Sequence, residues 1–320
     1  MIFINSNQTK QIPVNPEKVH IKTALTRSRD IIKLLRVKQW IKNLFVLSPL
    51  VFSEQMLTTD SVQNNLSAVI SFCLISSAVY IFNDLMDLAA DRTHPQKSNR
   101  PLASGRISQS LAKKIGLALL LSGLTLGWVV NDHVLIMGVS YIVLNLAYNI
   151  HTKKHVFLDV ITIAIGFHIR IWAGSLAIGI APSIWLQACT LVLTLFLGFT
   201  KRRHEISLAD AKAHEHREVL SQYTVDLLDK AILVCSALAV MFYGLYTLYV
   251  RPAQHIERLP LFTSTAFVTY GVFRYIYLIR IKKLGDDAGE IVLKDKPLLI
   301  CILLWMGFVF LIFYGDRIFL

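Results

Sequence analysis

Between Tyr80 and Arg106 the chain runs YIFNDLMDLAADRTHPQKSNRPLASGR. Asn83, Asp87 and Asp91 recur every four residues, with Asp84 offset beside the first. On a helix of about 3.6 residues per turn, this spacing places the three on one face. Carboxylates on successive turns repel one another unless a cation lies among them, and an all-oxygen donor set suits Mg²⁺. Arg92, Lys97, Arg100 and Arg106 follow at once, and such side chains grip phosphate oxygens. Pro101 and Gly105 would end the helix and fold this basic segment back over the stripe. The chemistry that fits is a Mg²⁺-bound diphosphate, with Asn83, Asp84, Asp87 and Asp91 as the metal-binding set.

The elements that must hold such a site are apolar. Hydrophobic residues make up 54% of the 320-residue chain, charged residues 17%, and the mean hydropathy is +0.52. Apolar runs at about 40–56, 66–85, 111–130, 134–150, 156–180, 184–200, 227–250, 261–281 and 298–314 read as membrane spans. The predicted fold is all-α, a multi-pass membrane bundle of about nine transmembrane helices. The first run is short and carries Lys42, Asn43 and Pro49. Residues 1–26 are polar and predict a loosely attached segment, with no run long enough for a cleaved signal. The membrane domain, 27–320, opens with alternating basic and apolar residues, as an interfacial amphipathic helix does.

Charge orients the bundle. The connections 86–110, 151–155, 201–226 and 282–297 hold 15 Lys and Arg, whereas the alternate set, 57–65, 131–133, 181–183 and 251–260, holds 2. The positive-inside rule then puts the N-terminus and the acidic stripe on the cytoplasmic face and the C-terminus outside. The net charge of +12 belongs to these connections and not to a soluble domain, which points to anionic headgroups and not to nucleic acid. Cys73, Cys189, Cys235 and Cys301 sit singly in apolar runs, so neither a disulfide framework nor a zinc site is indicated.

Other polar residues crowd the same mouth. The segment Tyr148 to Arg170 brings Tyr148, Lys153, Lys154 and Asp159, with His168 near its end. Asp159 lies just inside an apolar run and needs a partner or a polar cavity. Arg170, about three turns on and on nearly the same face, is a candidate partner or anion ligand. Lys201, Arg202 and Arg203 end the sixth run, and Gln39, Lys42 and Asn43 stand at the mouth of the first, beside Trp40. The run His214–Arg217 has poor spacing for a metal, and Asp286, Asp287 and Glu290 read as a surface loop.

Together these residues resemble the UbiA superfamily of intramembrane prenyltransferases, in which an NDxxDxxxD motif binds Mg²⁺ and a diphosphate. RVKQWIKN at Arg36, the motif with its basic loop, Lys154 to Arg170, GFTKRRHEI at Gly198 and FRYIYLIRIKKLGDDAGEIVLKDKPL at Phe273 resemble the polyprenyl-phosphate phosphoribosyltransferase branch. Aromatic prenyltransferases of the superfamily carry a second aspartate-rich motif after the fourth span, where this chain offers Lys153, Lys154 and a single Asp159. The resemblance therefore implies a phosphoribosyl diphosphate donor and a polyprenyl monophosphate acceptor. In that picture Arg92, Lys97 and Arg100 hold donor phosphates, and Lys42, Lys154 and Arg170 hold the remaining anions. Asn43, Tyr148, Asp159, Lys201 and Arg202 complete the expected lining. The rivals are a prenyl diphosphate-using aromatic prenyltransferase and a solute transporter. The latter predicts ionisable groups near the midplane of the bilayer.

Overall fold

A computed structural model describes residues 28–95, 97–209, 218–249, 259–282 and 288–319. The polar N-terminal segment, His214–Arg217 and the pair Asp286 and Asp287 lie outside the described residues. A first helix, α1 (28–34), ends at Arg36, whose φ of 51° turns the chain. A 3₁₀ helix (Val37–Val46) and α2 (Ser48–Phe52) then lead to α3 (Thr59–Met86) and α4 (Leu88–Thr93). Next come α5 (Gln109–Val130), α6 (Asp132–Ile150), α7 (Leu158–Ala177), α8 (Ile184–Ala209) and α9 (Val225–Tyr249). The chain ends with α10 (Leu259–Thr263), α11 (Thr265–Arg280), α12 (Ala288–Lys294) and α13 (Lys296–Phe319).

Seven of these, α3, α5, α6, α7, α8, α9 and α13, are long and apolar enough to cross a membrane. The other two expected spans are each built from two pieces. Arg36 is paired with Asp84 near one end of α3, and α3 begins at Thr59, roughly 40 Å away at 1.5 Å per residue. The 3₁₀ helix and α2 must therefore cover the same thickness. Likewise Ser264, between α10 and α11, meets Tyr243 late in α9, while Arg280 reaches Asp229 near its start. Among the described residues, seven continuous helices and two segments broken into two pieces thus run through the bundle, which agrees with about nine passages.

Pro49 explains why the first passage is broken. It has no N–H to give Phe45 O, and Ser48 Oγ donates there instead at 2.6 Å. In the 3₁₀ run side chains three apart eclipse, and burial follows that period. Asn43 and Val46 are buried, Gln39, Lys42 and Phe45 half-buried, and Lys38, Ile41 and Leu44 exposed. The buried column meets α3, where Asn43 Nδ2 donates to Ser76 Oγ at 3.1 Å and Trp40 to Ser77 Oγ at 2.9 Å. The middle column meets α7 through Phe45 and Phe167, whose centroids are 4.8 Å apart.

Two cores flank this arrangement. Val46, Phe72, Ile75, Val134 and Ala173 form one, and Phe196, Leu228, Ile232, Tyr275 and Leu298 belong to the other. Tyr314 on α13 closes the ring, with Oη 2.9 Å from Val51 O. All four cysteines are free.

Candidate active site

The chain bends at Asp87, between α3 and α4, but helical bonding carries through it. Asp87 N donates to Asn83 O at 2.9 Å, and Asp91 N to Asp87 O at 2.8 Å. At 100° per residue Asn83 and Asp87 lie ~40° apart, and Asp84 and Asp91 only ~20° apart. The four side chains divide accordingly, so Asp91 belongs with Asp84 and not with the stripe of Asn83 and Asp87.

Asp84 is 5% exposed and Asp91 is also buried. Arg100 Nη1 bridges them, 3.0 Å from Asp84 Oδ1 and 2.5 Å from Asp91 Oδ2. Arg36 pairs with Asp84 as well and lies 4.9 Å from the centre of the Tyr80 ring. The loop 97–107 does return to the motif, with Gly105 at φ 76°, but α4 ends at Thr93, well before Pro101, so Pro101 does not end the helix. Arg106, the last of the loop's basic residues, instead ties the loop to α1 through Asp30 at 3.1 Å. Arg92 is exposed and Lys97 half-buried.

The second pair faces α6 and the loop after it. Asn149 Nδ2 donates to Asn83 Oδ1 at 2.7 Å. The Asp87 side chain is 48% exposed, with Lys153 Nζ 3.9 Å away. Lys154, the expected site lysine, is exposed, and it is Lys153 that turns to the motif. Among the described residues no three His, Cys, Asp or Glu side chains lie close enough to hold a metal ion as they stand. The motif still fits Mg²⁺ by donor type, since every ligand is an oxygen and Asp87 is open to water, which Mg²⁺ retains.

Asp159 is wholly buried, and its partner is not Arg170. Arg202 Nε, on α8, donates to Asp159 Oδ2 at 2.6 Å, and Tyr223 Oη donates to Oδ1 at 2.7 Å. Arg202 is only 1% exposed and also engages Glu205 Oε2 at 2.6 Å and Tyr148 Oη at 3.2 Å. The expected phosphate ligand is therefore occupied as a buried joint between α6, α7 and α8. Tyr223 also accepts Phe157 N at 2.7 Å, where φ is 65°. Burial raises the Tyr223 phenol above its ordinary range, so it stays protonated and donates. Lys201, one residue away, is exposed.

Arg170 is 4% exposed and has no carboxylate within ion-pair distance among the described residues. Its Nε donates to Asn43 Oδ1 at 2.8 Å, Nη1 to Gly166 O at 2.8 Å and Nη2 to Tyr141 Oη at 3.0 Å. The faces of Tyr141 and Phe167 lie 4.6 and 5.3 Å away. Each guanidinium nitrogen thus has one neutral acceptor, and the positive charge has no counter-ion among the described residues. His168 stands between the carbonyls of Ala164 and Gln187, at 3.0 and 3.1 Å. Glu290 pairs with Lys38 and Lys294.

The UbiA prenyltransferase family model matches residues 46–292. The chain belongs to that family. This UbiA protein is a transferase and an integral membrane protein. It is 32% identical over 290 residues to the decaprenyl-phosphate phosphoribosyltransferase of Mycolicibacterium smegmatis, covering 87% of this chain and 90% of that one. The protein of the same name from Corynebacterium glutamicum is 31% identical over 283 residues, covering 86% and 84%. The fold matches a UbiA homolog from Archaeoglobus fulgidus bound to GPP and Mg²⁺, with TM-score 0.67, 18% identity, and 89% and 99% coverage.

Four residues of this UbiA site escaped sequence reasoning. Arg36 stood in the quoted RVKQWIKN but had no local spacing to link it to Asp84. Tyr223 lies 64 positions from Asp159 and gave no signal. Asn145 and Asn149 did carry one, for with Tyr141 they form a four-residue repeat of polar groups on an otherwise apolar helix.

Proposed function

We propose that this transferase moves 5-phosphoribose from phosphoribosyl diphosphate to a polyprenyl monophosphate at the cytoplasmic membrane face, releasing diphosphate. One observation carries the choice of donor and acceptor. Asp159, the carboxylate at the start of the run after the fourth span, is buried against Arg202 and Tyr223, so among the described residues the acidic cluster open to a diphosphate is that at Asn83–Asp91. The names of the relatives at about 30% identity support the same reading.

Asn83, Asp84, Asp87 and Asp91 would hold Mg²⁺. When bound, it would neutralise charge on the leaving diphosphate as the ribose gains oxocarbenium character. Arg100 and Arg36 neutralise the buried carboxylates and stand ready to turn toward donor phosphates, with Arg92, Lys97 and Lys153 around them. A phosphate oxygen of the acceptor forms the new bond to ribose C1. The C1–O bond to the diphosphate breaks, and its electron pair leaves with the diphosphate. Lipid monophosphate is largely ionised near neutral pH, its second pKa being about 6, so it needs positioning more than a base. Arg170, Lys42, Lys154 and Lys201 would supply positive charge for the remaining phosphates, and the apolar bundle would take the polyprenyl chain.

Purified protein incubated with phosphoribosyl diphosphate and a polyprenyl phosphate should yield a phosphoribosyl lipid, and EDTA should stop it. Product formed only from prenyl diphosphate and 4-hydroxybenzoate would overturn the reading.

A further inference from the structure

The acidic motif has an open half and a covered half. Asp87 is half-exposed and Asn83 half-buried, whereas Asp84 and Asp91 are both buried. What covers the second pair is charge of the opposite sign. Arg36 pairs with Asp84, and Arg100 bridges Asp84 and Asp91 at 3.0 and 2.5 Å. Both arginine side chains are partly exposed, so solvent reaches the guanidiniums before it reaches the carboxylates.

The two arginines are held over the motif by their backbone. Arg36 stands at φ 51°, and Leu35 O beside it accepts Ser77 Oγ of α3 at 2.8 Å. Arg100 is carried by the loop 97–107, which Arg106 ties to α1 through Asp30 at 3.1 Å. Release is therefore a matter of side chains turning and not of segments parting. A cation approaching alone meets two positive charges, and the carboxylates it needs are already paired. Taking them would strand both guanidiniums. A diphosphate removes both obstacles, because its oxygens accept the guanidiniums that leave Asp84 and Asp91.

We propose that Arg36 and Arg100 form a charge lock on the metal site, so that Asp84 and Asp91 open to a divalent cation when a diphosphate takes the two guanidiniums. This rests on the reading of the motif as a Mg²⁺–diphosphate site. The test titrates the full-length protein in detergent with Mn²⁺ alone, and then with inorganic diphosphate at a fixed Mn²⁺ concentration. Arg36→Asn removes the charge and suits the left-handed turn. It should bind Mn²⁺ alone about tenfold more tightly than the unaltered protein does, and diphosphate about tenfold more weakly. Opposite shifts separate a lock from a merely structural role, since a damaged site loses both affinities. Arg36→Lys keeps the charge and should hold Mn²⁺ alone as weakly as the unaltered protein. Affinity for Mn²⁺ alone that is unchanged or weaker in Arg36→Asn would overturn the lock and leave the transfer reaction standing. Absence of Mn²⁺ binding to the unaltered protein, with diphosphate or without it, would overturn the lock and the metal reading together.

Discussion

Among the described residues, Asp87 has one charged neighbour, Lys153 at 3.9 Å, and its carboxylate is half-exposed. Asp87→Ala should leave thermal unfolding nearly unchanged while lowering turnover at least a hundredfold, because a ligand is lost and no buried partner is stranded. Asp84→Ala is a different experiment. It leaves the half-buried Arg36 and Arg100 without a carboxylate they share, though Arg100 keeps Asp91, and losing such charged hydrogen bonds costs about 1–3 kcal/mol. Its unfolding midpoint should fall together with its activity. Full activity in Asp87→Ala, measured beside its unfolding curve, would remove the motif from the chemistry. The motif itself was legible because its residues are near in sequence and their types declare their chemistry. Arg36 and Arg202 were misread or missed for the opposite reason. Their carboxylate partners lie 48 and 43 positions away, where no periodicity connects them.

The 3₁₀ helix shows what hydropathy leaves out. The first span was legible as an apolar run, but its period of three depends on Pro49 and on the helices it touches. At its end, Val46 O is taken by Asn65 Nδ2 at 3.1 Å, which also donates to Gly174 O at 3.0 Å. A Cβ on Gly174 would fall 1.9 Å from Val46 O, a backbone atom that has no room to retreat. Gly174→Ala should therefore separate the 3₁₀ helix from α7 and destabilise the fold by roughly 1–3 kcal/mol or more. Detergent-solubilised protein should show the loss as a lower unfolding temperature, and an unchanged midpoint would refute the contact. The same displacement would move Asn43 relative to Arg170, so activity should fall further than the folded fraction. Tyr223→Phe tests the other half of the bundle. It removes a donor to Asp159 and an acceptor for Phe157 N, at a cost of about 1–3 kcal/mol, without touching the motif.

For the whole molecule, parity and charge make one argument. Arg36 at the motif and Thr59 at the far end of α3 require the first broken passage to cross, and Arg280 beside Asp229 requires the same of α10 with α11. Nine passages would put the described chain's two ends on opposite sides. On the positive-inside rule, the 15 Lys and Arg of one set of connections against 2 of the alternate set carry the proposal that the motif faces the cytoplasm. Both inputs were legible in the sequence, since apolar length and basic loops are local properties. What needed the structure was the break in two of these segments, the 3₁₀ helix with α2 and α10 with α11. Two single-cysteine positions test the result, because the native cysteines lie within apolar helices. Asn99→Cys, on the exposed motif loop, should react with a membrane-impermeant maleimide only after cells are opened. Thr58→Cys, at the far end of α3, should react in intact cells. The reverse pattern would turn the bundle over and place the acidic motif out of reach of a soluble, cytoplasmic donor.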